Sequence, residues 1–428
     1  MRVSQYNIFF PHLHYVVGYN ALADDFIFLT VELYELFSNT LLEDINRLET
    51  LHPDFWNLLV AKSFCIPEQT DELQKVKDLV YSIDRNSEHY HLIINPTLNC
   101  NFKCWYCYET HIPGSKMNKD TIEKIKRHIA KKLSNGIIKQ FTVSWFGGEP
   151  LLYFKQVILP MLEFVHEYTG SRDIQFNSDF TSNGLLIDDN ILSACKNLHV
   201  TQWQITLDGH RKRHNQVRYI GQGKESYDLI VANIKRCLQA GMKVTCRINL
   251  SKETLTEDVT QIIEDFSDLS SSEKQLIDFS FNKVWQESTD LHTEILQIIK
   301  FFHDQNFVVN YNKFIDTVRN SCYADKMNQA TINYNGDVFK CTARDFIPES
   351  KEGILTEKGD IEWNKKYYER MDAKFHNPSC LICKILPICN GGCSQQALEH
   401  KGREYCIHNY DENIKLDIIR DKLLYVIN

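Results

Sequence analysis

Three cysteines lie close together near residue 100, directly after an apolar stretch. Cys100, Cys104 and Cys107 are spaced C-x3-C-x2-C, and they follow residues 92–94, a segment typical of a β-strand. Three thiolates at a strand end suit a soft metal centre, and three ligands around an iron–sulfur cube leave one iron open to another partner. A structural zinc site or three buried thiols is the alternative, but zinc sites usually combine two C-x2-C pairs. The spacing favours a reactive iron–sulfur centre.

A second group of cysteines lies after residue 320 and includes a run spaced C-x2-C-x5-C-x3-C. Its members are Cys322, Cys341, Cys380, Cys383, Cys389, Cys393 and Cys406. A hairpin is predicted around Asn335-Gly336, just before Cys341. The other four cysteines of the chain have no ligand-like spacing, and we expect them to be buried thiols. The second group is too dense to be ordinary core packing, and it predicts further metal centres, with zinc again as the alternative.

Strand-like and helix-like segments alternate from residue 91 onward. The predicted strands are 91–95, 141–146, 174–180, 201–206, 243–249 and 277–284. The predicted helices are 118–134, 151–168, 188–197, 225–240, 255–266 and 291–305. Six successive βα units predict a parallel sheet, whose active-site residues lie at the carboxyl ends of the strands. Periodicity alone does not distinguish a partial barrel from an open doubly wound sheet.

The residues after the second predicted strand are suited to binding a small charged ligand. They are Gly147, Gly148, Glu149 and Pro150. The two glycines allow the backbone to approach a ligand closely, and the glutamate can pair with an ammonium group. A simple turn is the alternative interpretation.

Polar residues also follow or lie on the next three predicted strands. Ser182 and Asn183 follow the third strand and suit sugar hydroxyls, and the alternative is a turn and N-cap leading into the helix that begins near Asp188. Asp208 follows the fourth strand, where it is also a plausible turn residue. Arg247 and Asn249 lie two residues apart on the fifth strand and therefore share one face. An inward Arg247 suits a carboxylate, and an outward arginine on a strand edge is the alternative.

Length and composition indicate an ordinary globular protein of several domains. The chain has 428 residues, 43% of them hydrophobic and 24% charged, with a formal net charge of -8. The acidic balance argues against nucleic acid as a partner. We find no secretory signal and no apolar run long enough to span a bilayer, so the expectation is a cytoplasmic protein without a membrane partner.

The first cysteine group resembles the C-x3-C-x-aromatic-C signature of the radical S-adenosylmethionine (SAM) enzymes, with Tyr106 at the aromatic position. The resemblance implies that Cys100, Cys104 and Cys107 hold a 4Fe-4S cluster whose open iron binds SAM, which is cleaved to a 5'-deoxyadenosyl radical that abstracts a substrate hydrogen. It places Tyr106 beside the adenine. It also implies a six-unit partial barrel and an electron donor such as a flavodoxin or ferredoxin.

The residues at the strand ends resemble further motifs of this family. Residues 147–150 resemble its GGEP motif, which implies that they bind the amino group of SAM. Ser182 and Asn183 are then expected near the ribose, and Arg247 near the SAM carboxylate. Asp208, in a segment similar to the family's S-L-D-G, is expected near the substrate or the ribose and is the candidate catalytic residue.

The second cysteine group resembles the SPASM domain, a C-terminal extension of radical SAM enzymes that usually holds two auxiliary 4Fe-4S clusters. The resemblance assigns Cys380, Cys383, Cys389 and Cys406 to one cluster, and Cys322, Cys341 and Cys393 to the other. Asn328 stands where some relatives have an additional cysteine, so the second cluster is expected to have a non-cysteine ligand or an open iron. Three clusters are expected in all.

The sequence therefore predicts an α/β protein of three domains. These are an N-terminal α+β module at 1–88, a radical SAM partial barrel at 89–310 and a SPASM domain at 311–428. Short strands followed by helices in the module resemble leader-peptide-binding modules, and a lid on the barrel is the alternative. The expected function is a maturase that forms a thioether or carbon–carbon crosslink in a ribosomally made precursor peptide. The alternatives are an anaerobic sulfatase maturase that forms formylglycine from Cys or Ser, and a binding protein with degenerate motifs.

Overall fold

The computed structural model of the protein describes residues 1–219, 224–256, 258–310 and 316–427. As far as these residues are described, the chain forms two compact units, and neither is continuous in sequence. The first unit comprises residues 1–86, 313–327 and 369–428, and the second comprises residues 87–312 and 328–368. The three predicted domains remain a prediction, and their boundary at residue 311 lies outside the described residues.

The N-terminal part of the first unit is an α+β module. Its strands are β1 Arg2–Val3, β2 Asn7–His12, β3 Tyr15–Asn20, β4 Asp25–Leu29 and β5 Cys65–Ile66. Its helices are α1 Val31–Glu43, α2 Leu48–Leu51, α3 Pro53–Ala61 and α4 Glu72–Asp84, with a 3-10 turn at Ile45–Arg47. β2, β3 and β4 form an antiparallel sheet in that order, and β1 pairs with β5. The Asp71 side chain accepts a hydrogen bond from the Gln74 amide and so begins α4.

The second unit contains the alternating βα region. Its parallel strands are β6 His89–Ile94, β7 Gln140–Trp145, β8 Gln175–Ser182, β9 Val200–Leu207, β10 Lys243–Leu250, β11 Ile277–Lys283 and β12 Val308–Asn310. The helices are α5 Lys119–Leu133, α6 Leu159–Gly170, α7 Asp189–Asn197, α8 Arg211–Val217, α9 Tyr227–Gln239, α10 Ser271–Lys274 and α11 His292–Asp304. Further turns are the 3-10 segments Pro150–Tyr153, Thr254–Thr256 and Val259–Phe266 and the π-helical segment Phe154–Ile158. Residue 257, within the predicted helix 255–266, lies outside the described residues.

The six predicted strands are all present, and they pair as parallel neighbours in chain order from β6 to β11. The predicted α/β class is therefore confirmed. Side chains alternate between two faces because successive strand residues point to opposite sides. On β10, Cys246 and Ile248 belong to the main hydrophobic core, whereas Arg247 and Asn249 lie on the other face. The same alternation leaves a row of polar residues on the face away from the core.

The sheet continues past β6 with strands from the C-terminal third of the chain. They are β13 Gln329–Ile332, β14 Asp337–Phe339, β15 Gly353–Leu355 and β16 Ile361–Trp363, with 3-10 turns at Tyr323–Asp325 and Pro348–Ser350. β13 is parallel to β6, and β13 and β14 form an antiparallel hairpin. Gly336 turns this hairpin with φ +86, a conformation that glycine adopts without strain. The predicted hairpin is confirmed, whereas its parallel pairing with β6 was not predicted.

The remaining helices are α12 Lys365–Met371, α13 Pro378–Leu381, α14 Leu386–Cys389, α15 Ser394–Glu399 and α16 Glu412–Ile427. In the first unit, α14 and α16 share one core with the N-terminal module. This core contains Tyr6, Phe10, Val76, Val80, Ile385, Leu386, Ile388, Ile419 and Leu423. The module and the cysteine-rich helices are thus stabilised by the same buried apolar surface. None of the helices described is long and apolar enough to cross a membrane.

Candidate functional site

The first cysteine group lies in a loop that leaves the carboxyl end of β6. The loop is held by its own hydrogen bonds, in which Thr97 Oγ1 donates to the Ser115 carbonyl at 2.6 Å and the Cys107 amide donates to the Cys104 carbonyl at 3.1 Å. The Phe102 amide donates to Cys100 Sγ at 3.4 Å. The three cysteines are half-buried or exposed, and each is a free thiol. The loop therefore presents three thiols at the strand end, as the sequence predicts.

Gly147 and Gly148 let the segment after β7 approach this loop closely. Both have positive φ, +78 and +40. A Cβ at Gly148 would lie 2.2 Å from the Asn99 carbonyl oxygen, and one at Gly147 would lie 2.9 Å from the Thr97 carbonyl oxygen. The Glu149 amide donates to the Asn99 carbonyl at 2.9 Å. The glycines thus shape the cysteine loop, a role in addition to the ligand contact predicted for them.

Glu149 is fully buried and its carboxylate is held by three protein groups. One oxygen accepts from the Leu151 amide at 3.0 Å and from Ser182 Oγ at 2.9 Å, and the other accepts from the Asn183 amide at 2.8 Å. Burial raises the pKa of Glu149 to about 7, although these hydrogen bonds oppose the shift. The structure therefore brings Glu149, Ser182 and Asn183 together at the ends of β7 and β8, and Pro150 begins the 3-10 turn that Glu149 caps.

Asn183 links this group to the cysteine loop. Its side-chain nitrogen donates to Asn101 Oδ1 at 2.7 Å and lies 4.0 Å from Cys100 Sγ. Its side-chain oxygen accepts from the Leu185 amide at 3.0 Å. Asn183 therefore turns the chain toward α7 and also contacts the first cysteine.

Asp208 and Arg218 form a buried ion pair that also contacts the half-buried Tyr106. The Tyr106 hydroxyl donates to Asp208 Oδ2 at 2.7 Å, and Arg218 Nε also donates to that oxygen. Arg218 reaches the Tyr106 oxygen through its terminal nitrogen at 2.8 Å. Burial opposes the charge on Arg218, but the groups around it, Cys104, Tyr106 and Asp208, outweigh this and raise its pKa. The carboxylate of Asp208 thus fixes Tyr106 beside the cysteines.

We expect Arg218→Met to destabilise the protein by about 3–5 kcal/mol, because the change leaves the buried Asp208 carboxylate without its cation. Urea unfolding of the purified protein measures the loss. The control is Lys131→Met, which removes the exposed ion pair of Lys131 with Asp360 and should cost at most about 1 kcal/mol. Equal unfolding free energies for the two variants would contradict the assignment of a buried charge pair.

Arg247 lies on the face of β10 away from the core, where Thr206 of β9 and Ser280 of β11 are its neighbours. Its Nε donates to Asn249 Oδ1 at 3.0 Å, as the shared face predicts. Burial lowers the pKa of Arg247, and the nearby Arg218 guanidinium acts in the same direction. Arg247 therefore lies on a strand that is paired on both sides, and its assignment to a carboxylate remains a prediction.

The thiols of the first cysteine group fit a soft metal centre. Burial raises the pKa of Cys100 to about 12, and it also raises the pKa of Cys104. Metal ligation needs thiolates, so occupation of this site releases protons. Among the described residues, no three Cys, His, Asp or Glu side chains converge on the position of a single metal ion. The assignment of these three cysteines to an iron–sulfur cube remains a prediction from their spacing.

In the first unit, Cys380, Cys383, Cys389 and Cys406 line one cavity. Asn377 Nδ2 donates to Cys380 Sγ at 3.1 Å, and His408 Nε2 lies 3.6 Å from Cys389 Sγ. A Cβ at Gly391 would lie 3.0 Å from Cys380 Sγ, so glycine is needed there. These are the four cysteines that the resemblance assigns to one auxiliary cluster.

The buried side-chain amide of Asn390 also suits an iron–sulfur cluster in this region. Asn390 directly follows Cys389 and is 6% exposed, and neither polar atom of its side chain has a hydrogen-bond partner in the described part of the chain. An unpaired buried amide is costly, and the sulfur atoms of a cluster accept such hydrogen bonds. The donor set and this orphaned amide both suit an iron–sulfur cluster.

The other three cysteines of the second group are divided between the two units. Cys322 and Cys393 belong to the first unit, and Cys341 belongs to the second, where its sulfur accepts from the Ala343 amide at 3.3 Å. Asn328, which stands in place of an additional cysteine, donates through its side chain to the Ser87 carbonyl at 3.1 Å. The grouping of Cys322, Cys341 and Cys393 as ligands remains a prediction.

Sequence reasoning missed several residues that shape the site. Arg218 lies ten residues beyond Asp208 in no motif, and only the fold brings it to Tyr106. Tyr108 stacks on Trp285 with ring centroids 5.0 Å apart and donates to the Thr342 carbonyl at 2.8 Å. Asp345 accepts from both the amide and the hydroxyl of Thr110. No local signal identified these partners, because each contact joins residues far apart in sequence.

Comparison with known proteins gives a family match for the segment that contains most of this site. Residues 94–266 match the model of the Radical SAM superfamily. The chain is 20% identical over 399 residues to a radical SAM cyclopropyl synthase, TigE, of Paramaledivibacter caminithermalis, covering 85% of this chain and 80% of the relative. It is 25% identical over 333 residues to a cysteine-type anaerobic sulfatase-maturating enzyme of Clostridium novyi, covering 71% of this chain and 87% of the relative.

Solved structures share the fold of the chain. The protein anSMEcpe, with bound AdoMet and the Cp18Cys peptide, matches with a TM-score of 0.60 and 18% identity, covering 79% of this chain and 98% of that one. Streptococcus suis SuiB, bound to its precursor peptide SuiA, matches with a TM-score of 0.53 and 18% identity, covering 95% of this chain and 98% of that one. Because each identity is 18%, these matches show a shared fold and not a shared activity.

Proposed function

We propose that this chain, whose residues 94–266 match the Radical SAM superfamily, is a SAM-dependent enzyme that forms a thioether or carbon–carbon crosslink in a ribosomally made precursor peptide. The observation that carries this proposal is the extent of the likeness to peptide-bound SuiB. It covers 95% of this chain, so it includes most of the N-terminal module, whereas the likeness to anSMEcpe covers 79%.

The residues of the cysteine loop and the strand ends are assigned to the cofactors. We assign Cys100, Cys104 and Cys107 to a 4Fe-4S cluster. Residues 147–150, Ser182, Asn183 and Arg247 are assigned to SAM. When bound, these groups supply the one-electron reduction and the hydrogen abstraction that begin the reaction. The chain itself orients Tyr106 through Asp208 and Arg218, and it keeps the polar groups of Glu149 away from water.

An exposed aromatic surface next to the cysteine loop is suited to a peptide. Trp285 is 58% exposed, stacks on Tyr108 and carries the Arg344 guanidinium 5.1 Å from its ring. Gln286 donates to the Tyr106 carbonyl at 2.8 Å, so this surface is fixed to the loop. Exposed aromatic side chains with a fixed orientation bind peptides at a low cost in conformational entropy.

The three-stranded sheet of the N-terminal module is assigned to the leader segment of the peptide. Tyr15 of β3 and Phe28 of β4 are each 46% exposed, and their rings lie 6.3 Å apart in an edge-to-face arrangement. β4 is an edge strand of this sheet, and edge strands can bind an extended peptide. Deletion of the whole module is a poor test of this role, because Tyr6, Phe10, Val76 and Val80 belong to a core shared with α14 and α16.

The alternative is formation of formylglycine in a sulfatase. The likeness to the Clostridium novyi enzyme, which covers 87% of that relative, favours it. Against it, the second cysteine group has seven members, and Asn328 stands where an eighth would be. The two functions differ in their products, so a mass measurement distinguishes them.

We expect co-expression with a candidate short peptide encoded beside this gene to remove two hydrogens from the peptide for each crosslink. High-resolution mass spectrometry with fragmentation measures the loss and locates the bond. Co-expression with the Cys100→Ala variant is the control and should leave the peptide unmodified. Conversion of a Cys or Ser to an aldehyde would instead support the sulfatase alternative, and an unmodified peptide accompanied by SAM cleavage would contradict crosslinking of that peptide.

A further inference from the structure

A lysine is buried between two carboxylates in the first unit. Lys374 Nζ lies 2.6 Å from Asp84 Oδ2 and 2.8 Å from Asp325 Oδ2. The three side chains are 9%, 10% and 3% exposed, and Ser321 Oγ also donates to Asp84. We call Asp84, Lys374 and Asp325 the buried ionic group. Its members come from the end of α4, the segment after Cys322 and the segment after α12.

Such a group costs desolvation energy, and apolar residues of similar volume would often pack there at least as well. The Asp84 side chain is 10% exposed, and this burial raises its pKa because the carboxylate is poorly solvated. For Lys374, burial favours the neutral form, but the two carboxylates outweigh it and raise the pKa. A buried charged group of this kind is best explained by a structural role, namely that it holds neighbouring chain segments in place.

The buried ionic group holds two segments in place, one around Cys322 and one around Cys393, which we call the cysteine segments. The Asp325 amide donates to the Cys322 carbonyl at 2.9 Å. The Asp325 oxygen that does not face Lys374 accepts from the amide of Ser394, the residue after Cys393, at 3.0 Å. Asp325 therefore contacts both cysteine segments, and Lys374 holds its carboxylate in place.

Asp84 secures the same region from α4. Its backbone carbonyl accepts from the Met327 amide at 2.7 Å, and its side chain accepts from Ser321, next to Cys322. Cys393 is oriented separately, since its amide donates to Gln396 Oε1 at 3.1 Å while its sulfur accepts from the Gln396 amide. The segments on both sides of Cys322 are thus attached to the helix that ends the N-terminal module.

We propose that the buried ionic group positions Cys322 and Cys393 as ligands of the second auxiliary iron–sulfur cluster and makes the occupation of that site depend on α4. This inference rests on the auxiliary clusters of the proposed function. Asp84, Lys374 and Asp325 act as positioning residues through the cysteine segments that they hold. We expect the four-cysteine cavity of Cys380, Cys383, Cys389 and Cys406 to keep its cluster when this group is disrupted.

Helix α4 offers a matched control for this proposal. Glu72, in its first turn, is also a buried carboxylate, 3% exposed, that pairs with a cation, Arg2, at 2.9 Å and accepts from a serine, Ser4. Asp84→Asn and Glu72→Gln therefore each remove one buried charge from the same helix. Only Asp84 contacts the cysteine segments described above.

The test is the iron and sulfide content of the full chain after anaerobic reconstitution, with EPR of the dithionite-reduced protein. We expect about twelve iron atoms per chain in the wild type and in Glu72→Gln, and about eight in Asp84→Asn. The EPR signal that responds to added SAM should persist in Asp84→Asn, as should SAM cleavage, while one signal that does not respond to SAM is lost. Lys374→Arg, which keeps the cation, should retain all three clusters.

Three clusters in Asp84→Asn, or the same loss in Glu72→Gln, would overturn the positioning role while leaving the proposed function intact. About four iron atoms in the wild type would overturn the auxiliary clusters of the proposed function and this inference together. If Asp84→Asn does not fold, Ser321→Ala removes only one hydrogen bond to Asp84. It should lower the occupancy of the same cluster by at least about twofold, and unchanged iron content in that variant would also overturn the proposal.

Discussion

Replacing Cys100, Cys104 or Cys107 by alanine is expected to abolish the formation of 5'-deoxyadenosine from SAM. The three thiols are the protein ligands assigned to the cluster, and a cube that already has an open iron cannot lose another ligand without becoming unstable. We expect loss of about four iron atoms per chain and at least about a thousandfold fall in SAM cleavage. Anaerobic reconstitution followed by iron analysis and chromatography of the nucleoside product measures both.

Cys195→Ala is the matched control for this prediction. Cys195 lies on α7 with its side chain fully buried in the main core, away from any ligand-like spacing. The change removes a thiol but no proposed ligand, so iron content and SAM cleavage should remain at the wild-type level. Continued 5'-deoxyadenosine formation in the Cys100, Cys104 or Cys107 variants would refute the assignment of this loop as the cluster site.

Gly148→Ala is expected to lower SAM cleavage by at least about 100-fold, because displacement of reacting groups by about 1 Å can cost that much. The added Cβ would lie 2.2 Å from the Asn99 carbonyl oxygen, within the loop that presents Cys100. Two hydrogen bonds between the cysteine loop and the segment after β7 would also be disturbed. The Gly148 amide donates to Glu109 and the Glu149 amide donates to the Asn99 carbonyl, each at 2.9 Å. The loop must move for the methyl group to fit.

The Gly148→Ala change also strains the backbone, because an alanine at positive φ is unfavourable. Gly136→Ala is the control that has this strain without the steric clash. Gly136 has φ +71, and a Cβ there would meet no atom within 4 Å. Both variants place an alanine at positive φ, at a cost of about 1–2 kcal/mol, but only Gly148→Ala affects the cysteine loop. Steady-state SAM cleavage and thermal unfolding should be measured for both. If the two variants cleave SAM equally well, the close approach of Gly148 has no catalytic role.

The local features of the site were predictable from the sequence. The order of six strands and helices followed from apolar periodicity, and the structure places the strands within a few residues of the predicted bounds. The Asn335-Gly336 turn identified the hairpin before Cys341. The shared face of Arg247 and Asn249 followed from the two-residue repeat of a strand. These properties depend on neighbouring residues alone, which is why the sequence was sufficient.

Long-range partners were not predictable in the same way. The fold gives Asp208 the partners Tyr106 and Arg218, which the sequence did not indicate, and its place near substrate or ribose stays a prediction. Glu149 was expected to bind a ligand ammonium, and the structure shows its carboxylate already accepting three hydrogen bonds from the chain. These contacts depend on which strand ends lie next to each other in the folded protein, and no local sequence pattern predicts that arrangement.

The sequence by itself determined the two cysteine groups and the prediction that they bind metal, because that prediction depends on residue type and short spacing. Only the tertiary structure decided which partners hold those loops. It brought β13 beside β6, joined α4 to the segments of Cys322 and Cys393 through Lys374, and placed the N-terminal module in one core with α14 and α16. The physical reason is that such contacts join residues hundreds of positions apart and form only when the whole apolar core is buried.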